Sequence, residues 1–205
     1  MMKKRIYPLM AVGITAIVIN ILAFVLILSD AFAQYLTGGA RSYFFPDELL
    51  FALGFLSGAM MLLYLLCSIV CDQEVDRKRA LTSWGMSVFT AVLGSVLNGI
   101  QFSLPASLSQ QAAAIVALIL LFLPVLPGIA AIVMTARGIG GKANGFLYLI
   151  ASIFPMVQLP LCALFAYGID KPDLLLCVVP ISSLLFSIFI VLDLICYCGL
   201  NKKAQ

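Results

Sequence analysis

Six runs of mainly apolar residues dominate the chain, at residues 6–28, 49–71, 81–101, 113–135, 146–168 and 174–198. A helix needs about 20 such residues to cross about 30 Å of hydrocarbon, and each run is long enough to do so. Short polar segments separate them. The longest, residues 29–48, is too short to bury a core of its own. The pattern predicts an all-α, polytopic integral membrane protein: a bundle of six transmembrane helices in one domain over residues 1–205, with no soluble domain.

Composition sharpens this picture. The chain is 63% hydrophobic and 10% charged, with a mean hydropathy of +1.15, whereas soluble domains are roughly half apolar and a quarter charged. Asp193 is the one formal charge inside a run. Basic residues that flank spans stay on the cytoplasmic side. Lys3, Lys4, Arg5, Arg77, Lys78, Arg79, Arg137, Lys142, Lys202 and Lys203 fall on one side of a six-span threading, and Arg41 and Lys171 on the other. This asymmetry predicts a cell (cytoplasmic) membrane protein with both termini in the cytoplasm. Tyr7, Trp84, Tyr148 and Tyr197 near the inner ends, and Tyr35, Tyr43 and Tyr167 near the outer ends, are placed as headgroup-level anchors. The segment from Lys3 to Ala33, with Ala31-Phe32-Ala33 at its end, also has the layout of a secretory signal. Its apolar run is much longer than the usual ~7–15 residues of a signal, so retention as the first span is expected.

Several function classes are disfavoured by what the sequence lacks. It holds no histidine, which removes histidine-based zinc sites, Ser-His-Asp triads and haem ligation. It holds no GxxxxGK[ST] phosphate loop. The net charge of +3 sits beside apolar runs, where topology accounts for it, so no nucleic-acid partner is expected. An intramembrane aspartyl dyad needs two carboxylates sharing a site. With every lysine outside the runs, a Ser-Lys pair has no place either. The expectation is a protein that is not an enzyme, without cofactor or metal, whose first partner is the lipid bilayer.

The remaining candidates concern packing and depth. Ser83, Ser87, Ala91, Ser95 and Gly99 recur every four residues along the third run, and the second contributes Gly54-x-x-x-Gly58. Small residues at this spacing let helices approach closely, and a four-residue repeat implies a right-handed crossing. The stripe serves either internal packing or docking of a second copy or another membrane protein. Prolines concentrate in the last three runs, where Pro124, Pro127, Pro155, Pro160 and Pro180 interrupt the helical pattern. Broken helices near the midplane form substrate and ion sites in transporters. Pro124, Pro127, Gln158 and Pro180 are the candidate substrate-binding residues, with plain helix kinks the alternative for the prolines, and Asp193 is the candidate proton-coupling group, with a structural or interfacial role the alternative. Gln101 is a further polar residue at depth, and Asn20 and Asn98 are read as interhelical hydrogen-bonding residues. Cys67, Cys71, Cys196 and Cys198 lie near one membrane level, but the last two point apart on a helix and argue against a shared ion. A disulfide between Cys162 and Cys177 is conceivable near the outer ends of their runs. Mixed charge over Asp72–Arg79 is read as a solvated hairpin tip, with phosphate or partner binding the alternative.

Two readings of function follow. The first is a solute transporter, or a membrane subunit of one, for a small, apolar or weakly polar solute. The second is a non-catalytic membrane scaffold or assembly protein acting through helix contacts. In size and topology the threading resembles the substrate-binding subunits of small vitamin transporters, with no motif carrying the likeness to particular residues.

Overall fold

The computed structural model describes residues 3–36, 47–71, 76–102, 122–138, 145–166 and 173–203, with isolated positions between 112 and 120. These residues form helices α1 (Lys3–Leu36), α2 (Asp47–Cys71), α3 (Arg77–Phe102), α4 (Val125–Gly138), α5 (Gly145–Ala166) and α6 (Asp173–Lys203). Four are long and apolar enough to cross a membrane, over Tyr7–Asp30, Leu49–Cys71, Arg77–Leu97 and Val179–Cys196. Val125–Arg137 and Tyr148–Pro160 are shorter apolar helices. The described elements are thus all helices, and the apolar ones fit a membrane location.

Contacts along the helices fix their directions. Asn20 meets Ser57, and a Cβ on Gly13 would lie 3.1 Å from Tyr64, so α1 and α2 are antiparallel. Trp84 donates to the Leu62 carbonyl at 2.8 Å, tying α3 to α2. Ser83 bonds the hydroxyl of Thr135, while Gly128 lies against Thr90, so α4 runs opposite to α3. The same argument through Tyr148–Phe189 and Gln158–Ser182 sets α5 against α6. One end of the bundle therefore gathers the start of α1, α3 and α5 and the finish of α2, α4 and α6. Helices α1, α2 and α6 form one layer and α3 and α4 another, with α5 packed between them.

Burial recurs with a heptad period. The interior face of α1 is Leu9, Gly13, Ala16, Asn20, Ala23, Ile27 and Asp30, and that of α2 is Leu50, Gly54, Ser57, Met61, Tyr64, Ser68 and Cys71. Alternating steps of three and four keep one stripe facing the neighbour when helices coil left-handedly. On α3 the heptad positions Ala80, Ser83, Ser87, Thr90, Gly94 and Leu97 are buried, and Ala91 beside them is buried too. This differs from the four-residue stripe expected from sequence: Ser95 is only half-buried, the surroundings of Gly99 lie outside the described residues, and Gly94 makes the close approach instead. A Cβ on Gly94 would fall 2.8 Å from Pro160 Cγ. Ala91 is buried against Leu62 and Leu159. Gly54 and Gly58 face α5, where added Cβ atoms would meet Cys162 Sγ at 2.9 Å and Leu159 Cδ2 at 2.7 Å.

Other expectations shift for physical reasons. A turn at Leu123–Pro124 interrupts the fourth run, with Leu123 N–H donating to the Ile119 carbonyl and Gly128 N–H to that of Pro124. Pro127 then sits in the first turn of α4, where a missing donor costs nothing, rather than at a mid-helix kink. Tyr148 is buried and donates to the Leu65 carbonyl at 3.1 Å, and Trp84 is half-buried between helices. Both hold helices together instead of marking the headgroup level. Tyr7 is exposed; Tyr43 and Tyr167, and the side chains of Tyr35 and Tyr197, lie outside the described residues. The start of α3 is capped by Asp76, whose carboxylate accepts from Arg79 N–H at 3.4 Å and pairs with Arg79 Nε at 3.3 Å.

Candidate functional site

The interior faces of α1, α2, α5 and α6 enclose a column of polar side chains. At its middle, Ser57 donates to Asn20 Oδ1 at 2.6 Å and Asn20 Nδ2 donates to the Ala16 carbonyl at 2.7 Å. The single Ser57 proton is thereby committed, so Ser183 is the donor in its 2.9 Å bond to Ser57 Oγ. Gln158 Nε2 donates to Ser57 Oγ at 3.0 Å and to the Gly54 carbonyl at 2.9 Å. Its Oε1 accepts from Ser182 at 2.6 Å. Five polar side chains on four helices thus form one lattice, and all are buried. Donation runs from α6 through α2 to α1, giving the lattice a direction.

Toward the end where α1 begins, the column narrows to aromatic packing. Tyr64 and Phe186 meet edge to face at 6.2 Å between centroids, and Phe189 packs on Tyr64 and Tyr148 in the same manner. Beyond that layer lies Asp193, 2% exposed. Its Oδ2 accepts from Tyr64 Oη at 2.9 Å and from Ser68 Oγ at 3.1 Å. Ten helical residues separate Asp193 from Ser183, about 15 Å along the axis. A charged Asp at the centre of a membrane helix costs about 2.5–3.5 kcal/mol on insertion scales, and the two hydroxyl donors offset part of that.

A second carboxylate stands at the other end. Asp30 is wholly buried on α1, ten residues and about 15 Å beyond Asn20. The apolar cluster of Ala23, Ile27, Leu50, Cys162 and Val179 lies between it and the lattice. By apolar length alone Asp30 falls in the polar segment after the first run. Yet Asn20, Ala23, Ile27 and Asp30 continue one heptad face, and that period was the signal available. The two carboxylates lie about 30 Å apart by helical rise, too far to share a proton as a catalytic dyad does.

The sequence-derived candidates separate into two groups. Gln158 belongs to the lattice, and Pro180 is buried one turn from Ser183. Pro124 instead lies on the α3 side of α5, near Gly94 and Pro160, and Pro127 follows it in α4. Pro160 is two residues from Gln158, which places it on the opposite face of α5. Asp193 belongs to the column, below the aromatic layer. Among the described residues no three His, Cys, Asp or Glu side chains are grouped to hold a metal. Cys162 is not in a disulfide. Cys177, Cys198, Asn98 and Gln101 have side chains outside the described residues. The chain matches no family model, no curated protein and no solved structure.

Proposed function

We propose that this is a six-span protein of the cytoplasmic membrane, with both termini inside, that moves a small, weakly polar solute along the α1–α2–α5–α6 interface. The observation that supports this reading is the column itself: two buried carboxylates with an amide–hydroxyl lattice between them, inside helices whose interior is mainly apolar. Ionisable residues placed in membrane helices mark ion and substrate paths by default. In this reading the lattice recognises the solute's hydrogen-bonding groups, Asp193 is the titratable group coupling movement to protons, and the chain performs no covalent chemistry. It places the solute nearer to Gln158 and Pro180 than to Pro124 and Pro127.

The scaffold reading has one observation in its favour. Every buried side-chain donor and acceptor among the described residues has a partner within the chain, as a static staple would require. Thiol accessibility separates the two. With the native cysteines replaced, Ser183→Cys in native membranes should react with a small water-soluble methanethiosulfonate, because a transport path must admit water to the lattice in one state. Full protection in membranes, with complete labelling after denaturation, would leave the scaffold reading standing and remove transport.

A further inference from the structure

A cleft of about 730 Å³ opens between the start of α3 and the finish of α4, lined by Asp76, Lys78, Arg79, Thr82, Met134 and Arg137. We infer that it binds the phosphodiester headgroup of an anionic membrane lipid. Three cations and one carboxylate face the cleft, and that carboxylate is engaged by Arg79 at 3.3 Å and by the α3 cap. Among the described residues neither Lys78 nor Arg137 has an ion-pair partner, so the lining keeps a net charge of about +2 for an incoming anion.

Positive flanks on membrane helices follow from topology alone. What topology does not require is their convergence, from two chain segments far apart in sequence, on one concavity of a size that takes a small ligand. Basic pockets between helices at the membrane surface suit lipid headgroups. The surroundings also favour a lipid over a free phosphate. One turn deeper on α3, Gly85 has nothing within 4 Å of where a Cβ would stand. Phe89 on α3 and Val133 on α4 are exposed apolar side chains. Met134 lines the cleft itself, so the charged mouth has exposed apolar side chains of both helices on its deeper side, against which an acyl chain can lie.

The test uses the full chain in nonionic detergent, titrated with phosphatidylglycerol and, separately, phosphatidylcholine, with retained lipid read by native mass spectrometry. Each cation near a membrane surface is worth about fivefold in binding, so Lys78→Gln with Arg137→Gln should weaken phosphatidylglycerol retention about 30-fold. Arg77→Gln, in the same basic segment but outside the cleft, should leave it unchanged. The charge-conserving pair Lys78→Arg and Arg137→Lys should preserve it, which separates a binding loss from misfolding. Equal retention by the glutamine pair and wild type, or equal retention of phosphatidylcholine, would each overturn the assignment.

Discussion

The close approach of α3 and α5 at Gly94 gives the sharpest test of how this bundle is held. A Cβ there would stand 2.8 Å from Pro160 Cγ and 3.2 Å from Pro160 Cβ, whereas carbon atoms rest at about 3.5–4.0 Å. A proline ring is fixed to its backbone and cannot rotate away, so Gly94→Ala must push the two helices apart by roughly 0.5–1 Å. Overpacking of this kind costs about 1–3 kcal/mol, while alanine regains about 0.8–1.0 kcal/mol of helical preference over glycine. Gly85→Ala provides the reference, because its Cβ meets nothing within 4 Å and keeps only the gain. Gly58→Ala falls between them, since the atoms it meets, Leu159 Cδ2 at 2.7 Å and Cγ at 2.9 Å, belong to a side chain that can turn about its own bonds, unlike a proline ring. Equilibrium unfolding in mixed dodecyl maltoside and SDS micelles, followed by far-ultraviolet circular dichroism, should rank stability as Gly85→Ala, then Gly58→Ala, then Gly94→Ala. The first and last should differ by about 1–3 kcal/mol. A Gly94→Ala protein as stable as Gly85→Ala would refute the argument that backbone approach, rather than side-chain filling, sets the α3–α5 distance.

Two further outcomes are expected. Ala91→Leu should destabilise the detergent-solubilised protein by about 1–3 kcal/mol, since Ala91 is buried against Leu62 and Leu159; Val92→Leu, on the exposed face, should stay within about 0.5 kcal/mol. Reporter fusions after Gln34, Ala80, Gln110, Gly141, Lys171 and Gln205 should alternate outside and inside, beginning outside; two successive fusions on the same side would break the six-span threading.

Helix positions were legible because apolar length is a strong signal in a membrane chain. The runs at 49–71 and 81–101 lie within α2 and α3, and those at 6–28 and 174–198 within α1 and α6. Less legible was where each helix turns its interior face. A four-residue pattern in α3 is conspicuous by residue size, but the interior is chosen by the heptad stripe that selects Gly94 over Ser95. The lattice was hidden for a similar reason. Asn20 and Gln158 stand out singly as amides in apolar runs, while Ser57, Ser182 and Ser183 resemble any other small membrane-helix serine until four helices bring them to one depth. Asp30 falls just past the apolar run, and only the continuation of α1 to Leu36 shows that it lies on the helix's interior face. Pro124 and Pro127 look alike as kinks in a run of apolar letters, and only the structure separates them, Pro124 in the turn and Pro127 in the first turn of α4.

Trp84, the chain's sole tryptophan, stands where the α3–α4 layer meets α2, its indole N–H held by the Leu62 carbonyl. An indole so placed emits at a wavelength set by its shelter and its hydrogen bond, with no other tryptophan to obscure it. The protein therefore carries an optical gauge at the seam between its layers. A red shift that precedes the loss of helicity during unfolding would mean that the layers part as intact bodies, and a shift that coincides with it would mean that seam and helices dissolve in one event.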